Sequence, residues 1–237
     1  MMRSLLWAGM AVFIAGIYGK DDPAQHAVLV ELFTSEGCSS CPPADKLLEG
    51  LEHTQPVVVM SEHVDYWNRI GWTDPYSSPA FSTRQQAYAR RFGIEGPYTP
   101  QMIVDGRVEL VGSDAREALT AIGAAVKLSK TAIRIGAGAT KATVEVDPLP
   151  AGKAHNADVY VAYAADSGTQ DVLRGENKGR RLHHVSVVKS LKQVGSVDEH
   201  SGFRTEVDVE KGARLIVFVQ EPGNGPVWGA EMRPAGQ

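Results

Sequence analysis

The sequence predicts a mixed α/β fold in which an alternating α/β domain is followed by a β-rich domain. From residue 27 to about residue 128, strand-like and helix-like segments alternate. After about residue 130, short apolar stretches separated by Gly, Pro, Asn and Asp indicate strands alone. A hydrophobic fraction of 43% and a charged fraction of 22% are typical of a folded globular protein.

The N-terminus has the plan of a secretory signal. Arg3 supplies a positive charge, an apolar run extends to Gly19, and Lys20 to Pro23 form a polar turn. Residues 1–23 are therefore predicted to be a signal peptide or an N-terminal anchor, and the protein to be periplasmic or secreted. Contact with a membrane is expected only through this segment, if it stays uncleaved.

The first domain, residues 24–130, is predicted from the order β-α-β-α-β-β-α. Strands are predicted at residues 27–33, 56–61, 101–105 and 108–111, and helices at residues 42–52, 80–92 and 114–128. Asp105-Gly106 is a strong hairpin-turn signal between the last two strands. Ser113 is the predicted N-cap of the last helix.

The second domain, residues 131–237, is predicted to be a β-sandwich. Its predicted strands are residues 131–139, 142–146, 157–164, 184–194, 204–209 and 213–220, and many of them alternate or are rich in β-branched residues.

Cys38 and Cys41 are the two cysteines of the chain, and they form a C-x-x-C between a predicted strand and a predicted helix. That placement is typical of dithiol–disulfide chemistry. The first cysteine of such a pair is expected to be exposed, and the helix dipole favours its thiolate. Cys38 would then be the nucleophile and Cys41 the resolving thiol. A structural disulfide and a metal-binding pair are the alternatives.

Thr99-Pro100 stands directly before the strand predicted at residues 101–105. A proline blocks the first ladder hydrogen bond, so it is unusual at this point. A cis bond that turns Thr99 towards the cysteines, where its backbone can pair with an incoming peptide, explains the placement. An ordinary trans proline at the start of a strand is the alternative.

Several stretches together resemble the DUF1223 family of bacterial secreted thioredoxin-like proteins. They are residues 31–45 around the C-x-x-C, residues 63–68, residues 71–75, residues 175–177 and residues 225–230. The resemblance implies that residues 24–130 form a thioredoxin-like domain. It says little about activity, because the family name records an unknown function.

Two further segments carry chemistry-bearing side chains. Residues 63–76 are rich in aromatic and polar groups, and either face a substrate beside Cys38 or form a rigid surface loop. Residues 174–184 hold four basic residues and two histidines, and they form a solvated loop, bind an anion or fold back over the cysteines. His183 and His184 are adjacent, so in a strand they face opposite sides and cannot share one metal.

Three functions remain open at this stage. The first is an exported thiol–disulfide oxidoreductase that acts on protein or small-molecule thiols, or on a redox partner protein, through Cys38, Cys41, Thr99 and Pro100. No organic cofactor is implied, because neither a G-x-G-x-x-G after a strand nor a P-loop occurs. A net charge of -4 gives no reason to expect nucleic acid as a partner.

The second function is copper handling, and the third is binding without catalysis. Two thiolates with His63 and Met102 as further ligands would suit Cu(I) in an exported protein. In a non-enzymatic binding module, the C-x-x-C would be a stabilising disulfide.

Overall fold

The structure, a computed structural model, describes residues 27–236. The segment predicted at residues 1–23 to be a signal or an anchor lies outside these residues. In the part of the chain that is described, no helix is both long enough and apolar enough to cross a bilayer.

The first half follows the predicted order of elements. They are β1 (Val28–Thr34), α1 (Pro42–Glu52), β2 (Val57–His63), a 3-10 turn (Asn68–Ile70), α2 (Pro79–Phe92), β3 (Gln101–Val104), β4 (Val108–Val111) and α3 (Ala115–Ala125). All residues of β1 and β2 are buried, as expected for neighbouring parallel strands covered on both faces.

The predicted cap of α3 is wrong by one residue. Asp114, and not Ser113, caps the helix, because its carboxylate accepts a hydrogen bond from Glu117 N at 2.9 Å. The helix ends at Ala125, three residues before the predicted end.

Every element after α3, as far as the chain is described, is a strand. These strands are β5 (Ile133–Ile135), β6 (Lys141–Val146), β7 (Asn156–Asp171), β8 (Arg181–Asp198), β9 (Phe203–Asp208), β10 (Ala213–Gln220) and β11 (Val227–Arg233). The pattern predicted no strand at β11. β5 is much shorter than its prediction, because the chain beyond Gly136 turns so tightly that a Cβ on Gly138 would lie 1.8 Å from Lys141 O.

The large sheet takes strands from both halves of the chain. Its order is β11-β10-β7-β8-β2-β1-β3-β4, and β5-β6-β9 form a second, three-stranded sheet. β2 and β8 join the halves as parallel neighbours, with Ser61 opposite Val187. The division into domains at residue 130 stays a prediction, and the established architecture is a mixed α/β fold with one large sheet.

In the described part of the chain, four apolar clusters fill the space around the large sheet. One lies between the three-stranded sheet and the β7–β10 region, where Val144 and Val159 are buried. On the other part of the sheet, Val30 and Leu32 of β1 pack with α1 and α3, whereas Leu29 packs with Phe81 of α2. The alternation along β1 therefore places α1 and α3 on one face and α2 on the other.

The Asp105-Gly106 turn joins β3 to β4 as predicted. Both residues have positive φ, 50° and 61°, as a tight hairpin turn requires. Glycine is needed at position 106, since a Cβ there would lie 2.2 Å from Gly225 O. The Asp105 carboxylate accepts a hydrogen bond from Leu29 N at 2.8 Å and pairs with Lys130 Nζ at 2.6 Å.

A buried guanidinium, that of Arg84 on α2, links the two halves. It lies 2.6 Å from a carboxylate oxygen of Glu31 on β1 and donates to Gln220 Oε1 on β10 at 2.9 Å. Tyr88 OH donates to the second oxygen of Glu31 at 2.5 Å. Burial alone would lower the pKa of Arg84, but the charge of Glu31 raises it.

Glu62 on β2 is the second carboxylate beside this cation. Its nearest approach to Arg84 Nε is 3.6 Å. Burial and the charge of Glu31 raise the pKa of Glu62 well above its usual range. Glu62 is therefore the protonated member of the pair, and Glu31 carries the charge that neutralises Arg84.

The two glutamates should respond differently to replacement by glutamine. Glu31→Gln should lower the free energy of unfolding by roughly 3 kcal/mol, because it leaves the buried Arg84 cation without its counter-ion. Glu62→Gln should change it by less than about 1 kcal/mol at pH 7, because an amide resembles a protonated carboxyl group. Urea denaturation of both variants checks this, and equal losses would contradict the assignment.

Candidate functional site

The C-x-x-C occupies the turn from β1 into α1, and its two sulfurs are joined in a disulfide. The turn is closed by hydrogen bonds from Cys38 N to Ser35 O at 3.1 Å and from Cys41 N to Cys38 O at 3.3 Å. Cys41 caps α1, and Pro42 opens the helix where a missing N–H costs little.

Both cysteines are fully buried, although Ser39 and Ser40 between them are exposed. The expectation that Cys38 would be the exposed member of the pair is therefore wrong. The reason is a contact from the second half of the chain, because residues of the β7–β8 connection lie over the turn.

That contact is made by residues 172–180, here called the cover segment. Asn177, itself 1% exposed, donates from Nδ2 to Glu36 O at 2.9 Å and to Cys38 O at 2.8 Å. The Glu176 carboxylate accepts from Ser39 N at 3.1 Å. The prediction that this region folds back over the cysteines is confirmed.

The Thr99–Pro100 turn lies beside the disulfide, and its peptide bond is cis as predicted. The Ser40 hydroxyl is 3.4 Å from Cys38 Sγ and 3.5 Å from Thr99 O. Trp67 Nε1 donates to Thr99 Oγ1 at 2.8 Å, which fixes the side chain of Thr99. The sequence signal of a proline before an apolar strand thus located this part of the site.

The aromatic loop of residues 63–76 is anchored to the turn before Cys38. Trp72 Nε1 donates to Glu36 Oε2 at 2.8 Å, and Glu36 N donates to Asp74 Oδ2 at 2.8 Å. Asp74 also pairs with His63 Nδ1 at 2.7 Å. Glu36, Asp74 and His63 are buried, and Trp72 is half-buried. The loop is therefore held rigidly against the site.

A pair of buried histidines lies behind the site. The ring of His184 is 4.5 Å, centroid to centroid, from that of His63, and Tyr76 contacts both. His184 Nε2 lies 3.6 Å from Glu36 Oε1, and its Nδ1 lies 3.5 Å from Asp45 Oδ1. His183 points the other way and is exposed, as the alternation of a strand requires.

His184 carries a positive charge at neutral pH. Burial alone would lower its pKa, but the neighbouring carboxylates of Asp45 and Glu36 raise the pKa to about 9. The two carboxylates belong to residues on either side of the C-x-x-C, so this cation faces the segment that carries the disulfide. Local sequence patterns did not predict this role, because the contacts of His184 with Glu36 and Asp45 join segments more than a hundred residues apart.

The residues of the copper alternative are not gathered around one point. Both thiols are joined to each other, His63 is paired with Asp74, and Met102 packs in the apolar cluster with Leu32. Over residues 27–236, no three or more His, Cys, Asp or Glu side chains are placed to hold a metal ion.

A family model described as "Protein of unknown function (DUF1223)" matches residues 29–220. The chain belongs to the DUF1223 family. No curated protein matches it.

Two solved structures are similar to this DUF1223 chain. One is the crystal structure of a structural-genomics target from Agrobacterium tumefaciens, with 28% identity, a TM-score of 0.74, and coverage of 89% of this chain and 95% of that chain. The other is HBP35 of Porphyromonas gingivalis, with 16% identity, a TM-score of 0.59, and coverage of 89% and 75% respectively. The second likeness concerns the fold alone.

The charge on His184 predicts a loss of stability with rising pH. The pKa of His184 is about 9 in the folded chain against an ordinary 6.5. The stabilisation that the charged ring gives to the folded chain is therefore complete below pH 6.5. Between pH 6.5 and 9 the unfolded chain releases the proton first, and the free energy of unfolding should fall by about 3 kcal/mol.

Denaturation in urea at several pH values measures this fall. His184→Gln should have a lower free energy of unfolding than the unaltered protein at pH 6. Between pH 6.5 and 9 its free energy of unfolding should fall much less. His183→Gln is the matched control, since that neighbour is exposed. Parallel pH profiles for the two variants would show that His184 is not the group responsible.

Proposed function

We propose that the protein is an exported thiol–disulfide oxidoreductase whose reactive group is the Cys38–Cys41 pair. One observation carries the proposal: the disulfide lies at the start of α1 and against the Thr99–Pro100 turn, with the Ser40 hydroxyl within 3.5 Å of both Cys38 Sγ and Thr99 O. A redox pair beside the backbone carbonyl of the half-buried Thr99 suits the docking of an extended peptide.

The topology of the first half supports a thioredoxin-like assignment. Strands β2, β1, β3 and β4 are neighbours in that order, β1 and β2 are parallel, and β3 and β4 form an antiparallel hairpin. The C-x-x-C follows the central strand β1, and the cis proline precedes β3 beside it. On this proposal, the β-rich half is an addition that modifies a thioredoxin-like core.

The chemistry would be a two-step exchange. A substrate thiolate attacks Cys38 Sγ, the Cys38–Cys41 bond breaks, and Cys41 leaves as a thiolate that takes up a proton. A second substrate thiolate then attacks the substrate sulfur of the mixed disulfide and releases Cys38. The substrate loses two electrons and becomes a disulfide, while the protein becomes a dithiol. The reverse sequence reduces a substrate disulfide.

The compartment proposed is the periplasm or the extracellular space. Disulfides persist where the surroundings are oxidising, and the first 23 residues have the plan of an export signal. The partners proposed are protein thiols or disulfides, small thiols, or a dedicated redox protein.

A second function is favoured by one observation, the complete burial of both cysteines. A disulfide that thiols cannot reach would be a structural bridge in a non-enzymatic binding module. The reduction potential separates the two functions: exchange predicts a value near that of the glutathione couple, and a bridge predicts one below about −300 mV. Equilibration with defined ratios of reduced and oxidised dithiothreitol, followed by alkylation and mass spectrometry, gives this value.

Trapping with Cys41→Ser tests the order of attack. Because the Ser40 hydroxyl lies between Cys38 Sγ and Thr99 O, this variant should accumulate a mixed disulfide through Cys38 when it is exposed to disulfide-bearing substrates. Cys38→Ser is the matched control and should form at least tenfold less adduct, because Cys38 and not Cys41 is the sulfur that contacts the Ser40 hydroxyl beside the Thr99–Pro100 turn, where the substrate is proposed to dock. More adduct with Cys38→Ser than with Cys41→Ser would reverse the assignment.

A further inference from the structure

The cover segment is a closed loop with two different faces. Hydrogen bonds from Val172 N to Arg180 O at 2.9 Å and from Gly179 N to Val172 O at 2.8 Å bring its ends together. Its inner face is Asn177, which is buried against the C-x-x-C turn. Its outer face is exposed to solvent and carries basic side chains.

The outer face is basic and partly apolar. Arg174, Lys178, Arg180 and the following Arg181 are all exposed, in a chain whose net charge is -4. Arg180 also donates to Asn177 Oδ1 at 3.1 Å, and Arg181 lies 3.6 Å from Asp171. Leu173 is 67% exposed, which is more than any other large hydrophobic residue of the described chain.

The inner face occupies polar groups that a docking peptide would otherwise use. The Asn177 amide donates to the carbonyl oxygens of Glu36 and Cys38, and the Glu176 carboxylate accepts from Ser39 N. A donor pair and an acceptor on one short segment are what an extended peptide backbone offers to the same turn. The cover segment thus occupies the backbone groups of the turn that a peptide ligand would bind.

We propose that the cover segment decides which thiols reach the Cys38–Cys41 disulfide, and that its outer face binds an acidic, thiol-bearing peptide segment of a partner protein. Docking on the basic side chains holds the partner thiol at the edge of the site and draws Asn177 off the C-x-x-C turn. The inference rests on the proposed function, since it names the substrate class of the same disulfide.

Charge complementarity makes this partner class the favoured one. A patch of one sign raises the local concentration of oppositely charged ligands and speeds their association, and salt weakens the effect. The exposed Leu173, next to Arg174 in the chain, adds an apolar contact that a free small thiol cannot use.

The first experiment measures peptide preference. Two acetylated peptides are used, each with a single cysteine flanked by glutamates or by lysines, and the loss of the Cys38–Cys41 disulfide is followed by alkylation. Each rate is divided by the rate of the same peptide with hydroxyethyl disulfide, which removes the difference in thiol pKa. The glutamate peptide should react about tenfold faster at 10 mM ionic strength, and the preference should vanish near 1 M salt.

Charge variants locate the preference. Arg174→Ser with Lys178→Ser should lose most of the preference for the glutamate peptide. The matched control is Lys153→Ser with Lys211→Ser, which removes the same charge from exposed positions on turns between other strands. Equal rates for the two peptides, or a preference that survives in the first double variant, would overturn the docking site.

The second experiment tests the cover itself with neutral dithiothreitol. Asn177→Ala removes two hydrogen bonds to the turn and should raise the rate of disulfide reduction about tenfold. Glu176→Ala, which removes an exposed side chain and so cannot disturb the core, should raise it in the same direction. Asn156→Ala, an exposed asparagine at the start of β7, should react like the unaltered protein.

The outcomes separate the two proposals. If the unaltered protein exchanges with thiols but neither Asn177→Ala nor Glu176→Ala is faster, the cover inference is overturned and the proposed function stands. If the disulfide resists dithiothreitol in every folded variant, both proposals are overturned and the bridge is structural.

Discussion

The buried positive charge of Arg84 has to be neutralised inside the fold, and residues from both halves of the chain surround it. A guanidinium away from water is costly unless a counter-ion and hydrogen-bond acceptors surround it. Glu31 supplies the charge from β1, and Gln220 and Asn224 supply acceptors from the second half. These contacts fix α2, β1 and the β10 end relative to one another, and β1 is the strand that leads into the C-x-x-C. The position of the disulfide therefore depends on the contact between Glu31 of β1 and the Arg84 guanidinium in the core.

The site belongs to both halves of the chain. The first half contributes the disulfide and the Thr99–Pro100 turn, and the β7–β8 connection contributes Asn177 and, at the start of β8, His184. Because β8 lies next to β2 in the large sheet, the cover segment and the buried histidine arrive at the site from the same neighbouring strand. The turn that carries the disulfide is therefore enclosed by residues of the second half.

Much of the fold and part of the site follow from local sequence patterns. The element order of the first half, the Asp105-Gly106 turn and the cis Thr99–Pro100 bond each rest on a few neighbouring residues, so the sequence predicts them. The burial of Cys38 and the charge of His184 do not, because they arise from contacts between segments more than a hundred residues apart. β11 was missed for a related reason, since its pairing with β10 and not its own periodicity makes it a strand.

The distance along the chain between the cover segment and the cysteines has a consequence for maturation. Asn177 lies 139 residues after Cys38, so a chain made from its N-terminus presents both thiols long before their cover exists. If the chain is exported as proposed, an oxidant that acts during or just after translocation meets an open dithiol, whereas one that arrives after folding meets a closed turn. On that proposal, the timing of oxidation relative to folding, and not only the redox poise of the compartment, would govern how completely the bond forms.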